Sequence, residues 1–286
     1  MKKIPVYVNP YDKVHFGPST VMTLHRFGIF DPDVARRVPT LSPFSAKLTA
    51  HLRFQEIPFE PVAEQGVGNA PRGKVPFITV DGVKVADSDL VIGFLKTAFP
   101  DPDAGLSDHQ RAVGHLVQRT LEDHLYWIAL IYEFYDQEGS DWFFEHAFGG
   151  MGPGLQGLRD DMEDRTYKQG IARYTPEEIV DKASKDLAAV AEILGENRYL
   201  LGTDRPTSFD AVVFGMTILV YQLREMHPRL TDYARSLPNL TQYRQFAYRV
   251  LPRPRSRLLG LLPKEWHKME SVRTDKKVVE SLSVLE

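Results

Sequence analysis

The chain has 286 residues, room for about two domains. Its 43% hydrophobic and 26% charged content is that of a globular protein with one or two sizeable cores. A net charge of −3 leaves no global footprint for nucleic acid or an acidic membrane, and the absence of cysteine excludes disulfides, thiolate metal sites and every cysteine-nucleophile mechanism.

The start, Met1 to Pro5, has no apolar stretch of the kind a secretory signal needs. Ile4 to Val8 reads as a short first strand, followed by a long stretch punctuated by proline and glycine over 9–41. Ser42-Pro43 then places an N-cap and an N1 proline at the head of a helix carrying Ala46, Leu48, Ala50, Leu52 and Phe54. Ile57 to Val62 is extended, and its two prolines suit a sheet edge. Val75 to Val80, Asp81-Gly82 and Val83 to Ala86 form a hairpin around an Asp-Gly turn. Ser88 caps the next helix, which carries Leu90, Val91, Phe94 and Leu95 on one side. Pro100 to Gly105 breaks the chain and is the expected linker.

Beyond it the periodicity is helical. Ser107 and Gln110 make a capping box ahead of Val113, Leu116, Val117, Leu121, Leu125, Ile128 and Tyr132. An aromatic and glycine-rich stretch over 141–157 interrupts the pattern. Thr175-Pro176-Glu177-Glu178 opens another helix, with Ile179, Ala183, Leu187, Val190 and Leu194 on its buried stripe and Gly195 at its end. Thr207 to Asp210 caps a strongly apolar helix over 211–223, too short to span a bilayer. Pro238 precedes a last amphipathic helix with Leu240, Tyr243, Phe246 and Val250, and a basic tail follows from Pro252.

Four local segments, in this order and spacing, resemble the glutathione transferase superfamily, most closely its bacterial members related to metaxin and the failed-axon-connections proteins. Ser42 to Leu48 resembles the start of the active-site helix, Lys74 to Ile78 the strand with a cis-proline, and Ala86-Asp87-Ser88 the turn that binds a glutamyl group. Gly170 to Glu178, with Leu201-Gly202 and Pro206 to Asp210, resembles that branch's helical half. The resemblance implies an α+β thioredoxin-like N-terminal domain over 1–99, bearing a long insertion at about 9–41. An all-α C-terminal domain over 106–251 and an extension over 252–286 complete the expected architecture. It further implies glutathione as cosubstrate, a small-molecule electrophile as second substrate, a homodimer, and a cytoplasmic location. A non-catalytic metaxin-like interaction module, or a glutathione-dependent isomerase or lyase, are the competing readings.

Glutathione carries two carboxylates, one ammonium and one thiol. The helix N-terminus at Ser88 offers free N–H groups and a hydroxyl to a carboxylate, and Asp87 can take the ammonium. By the resemblance, Val75 beside Pro76 presents backbone to the peptide, while either Lys74 or Lys47 reaches the second carboxylate. Ser42 is the candidate catalytic group. A free thiol has a pKa of about 8.5, and lowering it by about two units takes roughly 2.7 kcal/mol. A helix N-terminus contributes about 0.3–1 kcal/mol, up to about 2 when partly buried. A hydroxyl donated to a charged acceptor adds roughly 1.5–3 kcal/mol. Ser42 as N-cap combines the two. Ser45, one turn on, is the second donor, and Tyr7 on the expected first strand is a third, because some transferase classes use a strand tyrosine.

The wall for the second substrate falls to the helix with Glu122, His124, Tyr126 and Trp127; Tyr132, Tyr135, Trp142, Phe143 and Phe144 line a pocket or pack the core. Packing is the stronger reading for His124. Gly152 to Gly157 matches G-x-G-x-x-G without the strand a dinucleotide site needs. His109, His115 and His124 lack metal-ligand spacing, so no metal site is assigned. Asp160, Asp161, Glu163 and Asp164 read as a solvated helix face, Asp210 as a buried capping acid, and Arg173 is left without a role.

Overall fold

At the start of the chain, strand formation follows burial rather than β-propensity. A computed structural model of the protein describes residues 6–17 and 20–250, with side chains described to residue 245. Within the run expected as the first strand, Val6 and Val8 are 80% and 79% exposed and no strand forms, while Ile4 and Pro5 lie outside the described residues. The first strand is β1, Met22–Phe27, where Met22 and Leu24 alternate into the core. The stretch over 9–41 is therefore not simply an insertion: it contains β1, one of the two inner strands of the sheet. The extension over 252–286 lies outside the described residues.

After β1 come α1 (Pro32–Arg37), α2 (Pro43–Phe54), β2 (Glu60–Glu64), β3 (Phe77–Val80), β4 (Val83–Ala86) and α3 (Ser88–Ala98). The sheet order is β2-β1-β3-β4, with β1 parallel to β2 and antiparallel to β3. Asp81 and Gly82 both take positive φ, 47° and 85°, as a two-residue hairpin turn between β3 and β4 requires. Thus an α+β sheet domain precedes a region built of helices.

That region runs α4 (Asp108–Thr120), α5 (Tyr126–Leu130), α6 (Gln137–Phe148), α7 (Leu155–Gln169), α8 (Pro176–Leu194), α9 (Ser208–Gln222), α10 (Pro228–Ser236) and α11 (Pro238–Val250). Two wider π-type turns, Leu121–Leu125 and Ile131–Tyr135, flank α5, so the expected long helix is continuous but twice overwidened. The capping boxes at Ser107/Gln110, Thr175/Glu178 and Thr207/Asp210 all form. Residues 141–148 continue α6 instead of interrupting it; the break falls at Gly149 and Gly150, both at positive φ. Leu90 and Leu116, placed by periodicity on apolar stripes, are exposed. Phe246 and Val250 lie beyond the described side chains.

Helix α2 sits between the two halves. Leu48 and Leu52 pack on the sheet with Leu24, Ile78 and Val85. Ala46 and Ala50 pack on Ala211, Phe214 and Ile218 of α9. The approach is close enough that a Cβ on Gly215 would lie 2.3 Å from the Lys47 backbone nitrogen. Gly215→Ala must push the two helices apart, and overpacking of this kind costs about 1–3 kcal/mol. An unfolding free energy lower by that amount, read from a reduced urea midpoint at unchanged m-value, is the expected outcome; an unchanged midpoint shows that α2 and α9 yield without cost.

Candidate active site

The N-terminus of α2, the loop before β3 and the turn into α3 converge because α2 and α3 pack on one face of the sheet. With α5, α6 and α7 they enclose a cleft of about 510 Å³. Its lining is of two chemical kinds. Ser42, Arg72, Lys74, Asp87 and Ser88 are polar or charged; Phe27, Leu130, Phe134, Phe143, Phe148 and Met162 are apolar.

Ser42 is the N-cap of α2. Its Oγ accepts from the Ser45 N–H at 3.3 Å, and its own N–H donates to Thr40 Oγ1 at 3.1 Å. Among the described residues its hydroxyl proton has no acceptor, so it is available to a guest in the cleft. Ser45 is fully buried and its Oγ is unpartnered; it is not part of the cleft lining, so the second donor considered from the sequence lies behind the first. Tyr7 is not on a strand. Its hydroxyl donates to the Lys84 carbonyl at 2.7 Å, outside the cleft.

The Val75–Pro76 bond is cis, and both residues line the cleft. The cap of α3 is Asp87, one residue earlier than expected, at φ 68° with its carboxylate accepting from the Asp89 N–H at 3.0 Å. Ser88 is buried at the first turn of α3 and lines the cleft.

Geometry separates the two lysines. Lys74 stands at the cleft, where desolvation first and the Arg165 guanidinium second lower its pKa, against the opposite pull of Asp161. Lys47 is fully buried elsewhere. Its Nζ lies 2.7 Å from Glu122 Oε1 and 3.5 Å from Asp89 Oδ1. Burial pushes the Asp89 carboxyl up, but Lys47, Gln118 and Arg119 together bring it below the usual range.

Of the expected second-substrate wall, Tyr126 and Phe143 line the cleft. Trp127 packs against two hydrophobic cores, one of them shared with α2, and His124 pairs with Asp186 at 2.6 Å away from the cleft lining. Tyr132 faces His227, and Phe144 is core. Asp160, Asp161, Glu163 and Asp164 do lie on a helix, three of them in ion pairs spaced four residues apart. Asp210 is fully buried and accepts from the Leu200 and Thr207 N–H groups and from the Thr207 and Tyr243 hydroxyls. Arg173 stacks over Tyr167 at 4.6 Å. Among the described residues, no group of three or more acidic or histidine side chains stands close enough to hold a metal ion.

Two charged cleft residues, Arg72 and Glu133, are not among the candidates from the sequence. Glu133 is 4% exposed and lines the cleft beside apolar side chains. The signal was present: Tyr126, Leu130 and Glu133 fall on one helical face at i, i+4 and i+7.

A capped helix start, a cis-proline and an acid-capped second helix around one cleft, with apolar side chains of the helical half in its lining, are the layout of a thioredoxin-like domain joined to a helical one. Residues 43–139 match the model of the glutathione S-transferase N-terminal domain, and residues 183–246 that of the C-terminal domain. The chain is 30% identical over 218 residues to isoprene-epoxide–glutathione S-transferase of Rhodococcus, covering 72% of this chain and 91% of that one. It is 28% identical to Failed axon connections of Drosophila melanogaster, covering 71% and 52%, and 24% identical to Metaxin-3 of Xenopus laevis, covering 72% and 70%. The fold is shared with a glutathione S-transferase of Ceriporiopsis subvermispora solved with glutathione, at TM-score 0.58 and 14% identity over 82% of this chain and 99% of that one. The chain belongs to the glutathione S-transferase superfamily, on a branch that has metaxin-like relatives.

Proposed function

We propose that this protein is a glutathione transferase in which Ser42 activates the glutathione thiol for attack on a hydrophobic electrophile. The observation that carries the reading is the position of Ser42: it caps α2, keeps its hydroxyl proton free among the described residues, and opens on a cleft lined by both charged and apolar side chains. Asp87 and the N–H groups at the head of α3 suit the ammonium and carboxylate of the glutamyl end. Lys74 suits the second carboxylate, since Lys47 is spent on Glu122. The apolar lining suits a small electrophile without charge, in keeping with the relative named for an isoprene epoxide. Family likeness also supports a homodimer in the cytoplasm.

The hydroxyl of Ser42 stabilises a thiolate by roughly 1.5–3 kcal/mol. Ser42→Ala should therefore raise the pKa of bound glutathione by about 1–2 units, read from the ultraviolet thiolate band, and lower kcat/KM about 10- to 100-fold. Glutathione binding, followed by calorimetry, should persist in the variant. A thiolate band that does not move removes Ser42 from this role. Wild-type protein that takes up no heat at millimolar glutathione favours the interaction-module reading instead.

A further inference from the structure

The wider turn at Ile131–Tyr135 closes with the Asp136 N–H on the Ile131 carbonyl at 2.6 Å, five residues back. Such turns insert a residue and re-aim the side chains around it, and they are frequent at functional sites. Here the turn holds Glu133 in the wall of the cleft among Leu130, Phe134 and Phe143. No hydrogen bond or ion pair among the described residues reaches its carboxyl, and Oε1 is fully buried without a partner. Buried polar groups serving only the fold are almost always hydrogen-bonded. A carboxyl left unpaired against an open cleft is instead available to a ligand.

We propose that Glu133 is the proton donor of the second-substrate end, and that this end takes electrophiles that react by breaking a carbon–oxygen bond, namely epoxides. The inference rests on the reading that a glutathione thiolate forms at Ser42 in the same cleft. The sulfur attacks a ring carbon and the sulfur–carbon bond forms. The carbon–oxygen bond breaks and its electron pair goes to oxygen. The proton of Glu133 moves to that oxygen, leaving a β-hydroxy thioether and a Glu133 carboxylate. Water returns the proton once the product has left. A halide leaving group needs no such proton, so the acid matters for the epoxide and hardly for the halide.

Burial raises the Glu133 pKa to about 8, which keeps the group neutral and a donor at pH 7. A neutral acid also avoids repelling the thiolate. The charged and titratable groups around this turn are Tyr132 and Tyr135 in the turn, Tyr126 and Asp136 flanking it, Arg159 paired with Glu163 and Arg165 paired with Asp161 on α7, and Arg173 just beyond α7. α6 faces it with Phe143.

The test uses Glu133→Gln and Glu133→Leu with two probes, styrene oxide and 1-chloro-2,4-dinitrobenzene. General acid catalysis is worth about 10²- to 10⁴-fold. The ratio of kcat/KM for the epoxide to that for the chloride should fall at least about tenfold in both variants. The epoxide rate of the wild type should decline above about pH 8, and that limb should vanish in Glu133→Gln. Glu133→Leu removes an unpartnered carboxyl, so its melting temperature should hold or rise, which separates lost chemistry from lost fold. An unchanged ratio, or equal losses on both probes, overturns the proposal. Wild type that binds glutathione and conjugates the chloride but not the epoxide overturns it too. Wild type that binds no glutathione overturns the reading at Ser42, and this inference with it.

Discussion

Glu122→Leu should cost about 3–5 kcal/mol of stability, and more than Lys47→Met. The Lys47 side chain is fully buried and that of Glu122 is 5% exposed, so neither charge has water to fall back on. Without Glu122, the ammonium keeps Asp89 alone, at 3.5 Å, on a carboxylate that is half exposed. Without Lys47, the Glu122 carboxylate keeps Arg119 at 2.6 Å and Gln118 at 3.3 Å. The asymmetry predicts the order of the two single variants. The double variant Lys47→Met/Glu122→Leu replaces the pair by apolar groups and should recover much of the loss, because a paired buried charge contributes little once its desolvation is counted. A coupling energy of at least about 2 kcal/mol from urea unfolding is the expected result. Additive single losses show instead that water reaches the pair. The cluster ties α2, the helix whose N-terminus holds Ser42, to α3 through Asp89, to α4 through Gln118 and to the wider turn after α4 through Glu122. Its loss should also loosen the active-site helix.

Local chemistry made some of this legible in advance. Pro at N1, capping boxes and the Asp-Gly turn act within a few residues, so the starts of α2, α4, α8 and α9 and the β3–β4 hairpin follow from the sequence directly. The first strand did not, because Ile4 to Val8 and Met22 to Phe27 both have β-formers and only tertiary contact decides which one gains a buried face. The choice between Lys47 and Lys74 was closed to sequence for the same reason. Both stand close to a helix start in the sequence, and only the packing of α2 on α9 and the pairing of Lys47 with Glu122 show that Lys47 is not at the cleft. Glu133 stood on an apolar face in the sequence. The wider turn that leaves it unpaired is set by contacts with α6 and α7, such as Arg159 on the Phe134 carbonyl.

Stability should fall as the solution is acidified from pH 6.5 to about 4. Burial drives His51 down to about 4, with Lys96 adding to the effect and Asp103 opposing it; burial likewise drives His227 to about 4. Both rings are uncharged in the folded protein and gain a proton on unfolding once the pH drops below the ordinary histidine value of about 6.5. The unfolded state then binds more protons, so each histidine removes about 1.4 kcal/mol per pH unit, roughly 3 kcal/mol across the window. Their stabilisation is fully present above pH 6.5 and lost as pH falls through the folded pKa. Glu133 has the opposite sign. Its pKa is raised to about 8, so its contribution is full below about 4.5 and is lost as pH rises through 8. Urea unfolding of wild type against His51→Leu and against Glu133→Leu isolates each group, because Asp210, which burial also pushes up, titrates in all three proteins. The stability of His51→Leu relative to wild type should improve by about 3 kcal/mol between pH 6.5 and 4. That of Glu133→Leu should improve by about 1.4 kcal/mol per unit between pH 4.5 and 8. If the Glu133→Leu difference is flat with pH, the carboxyl is not held neutral, and it has no proton to give an epoxide at pH 7.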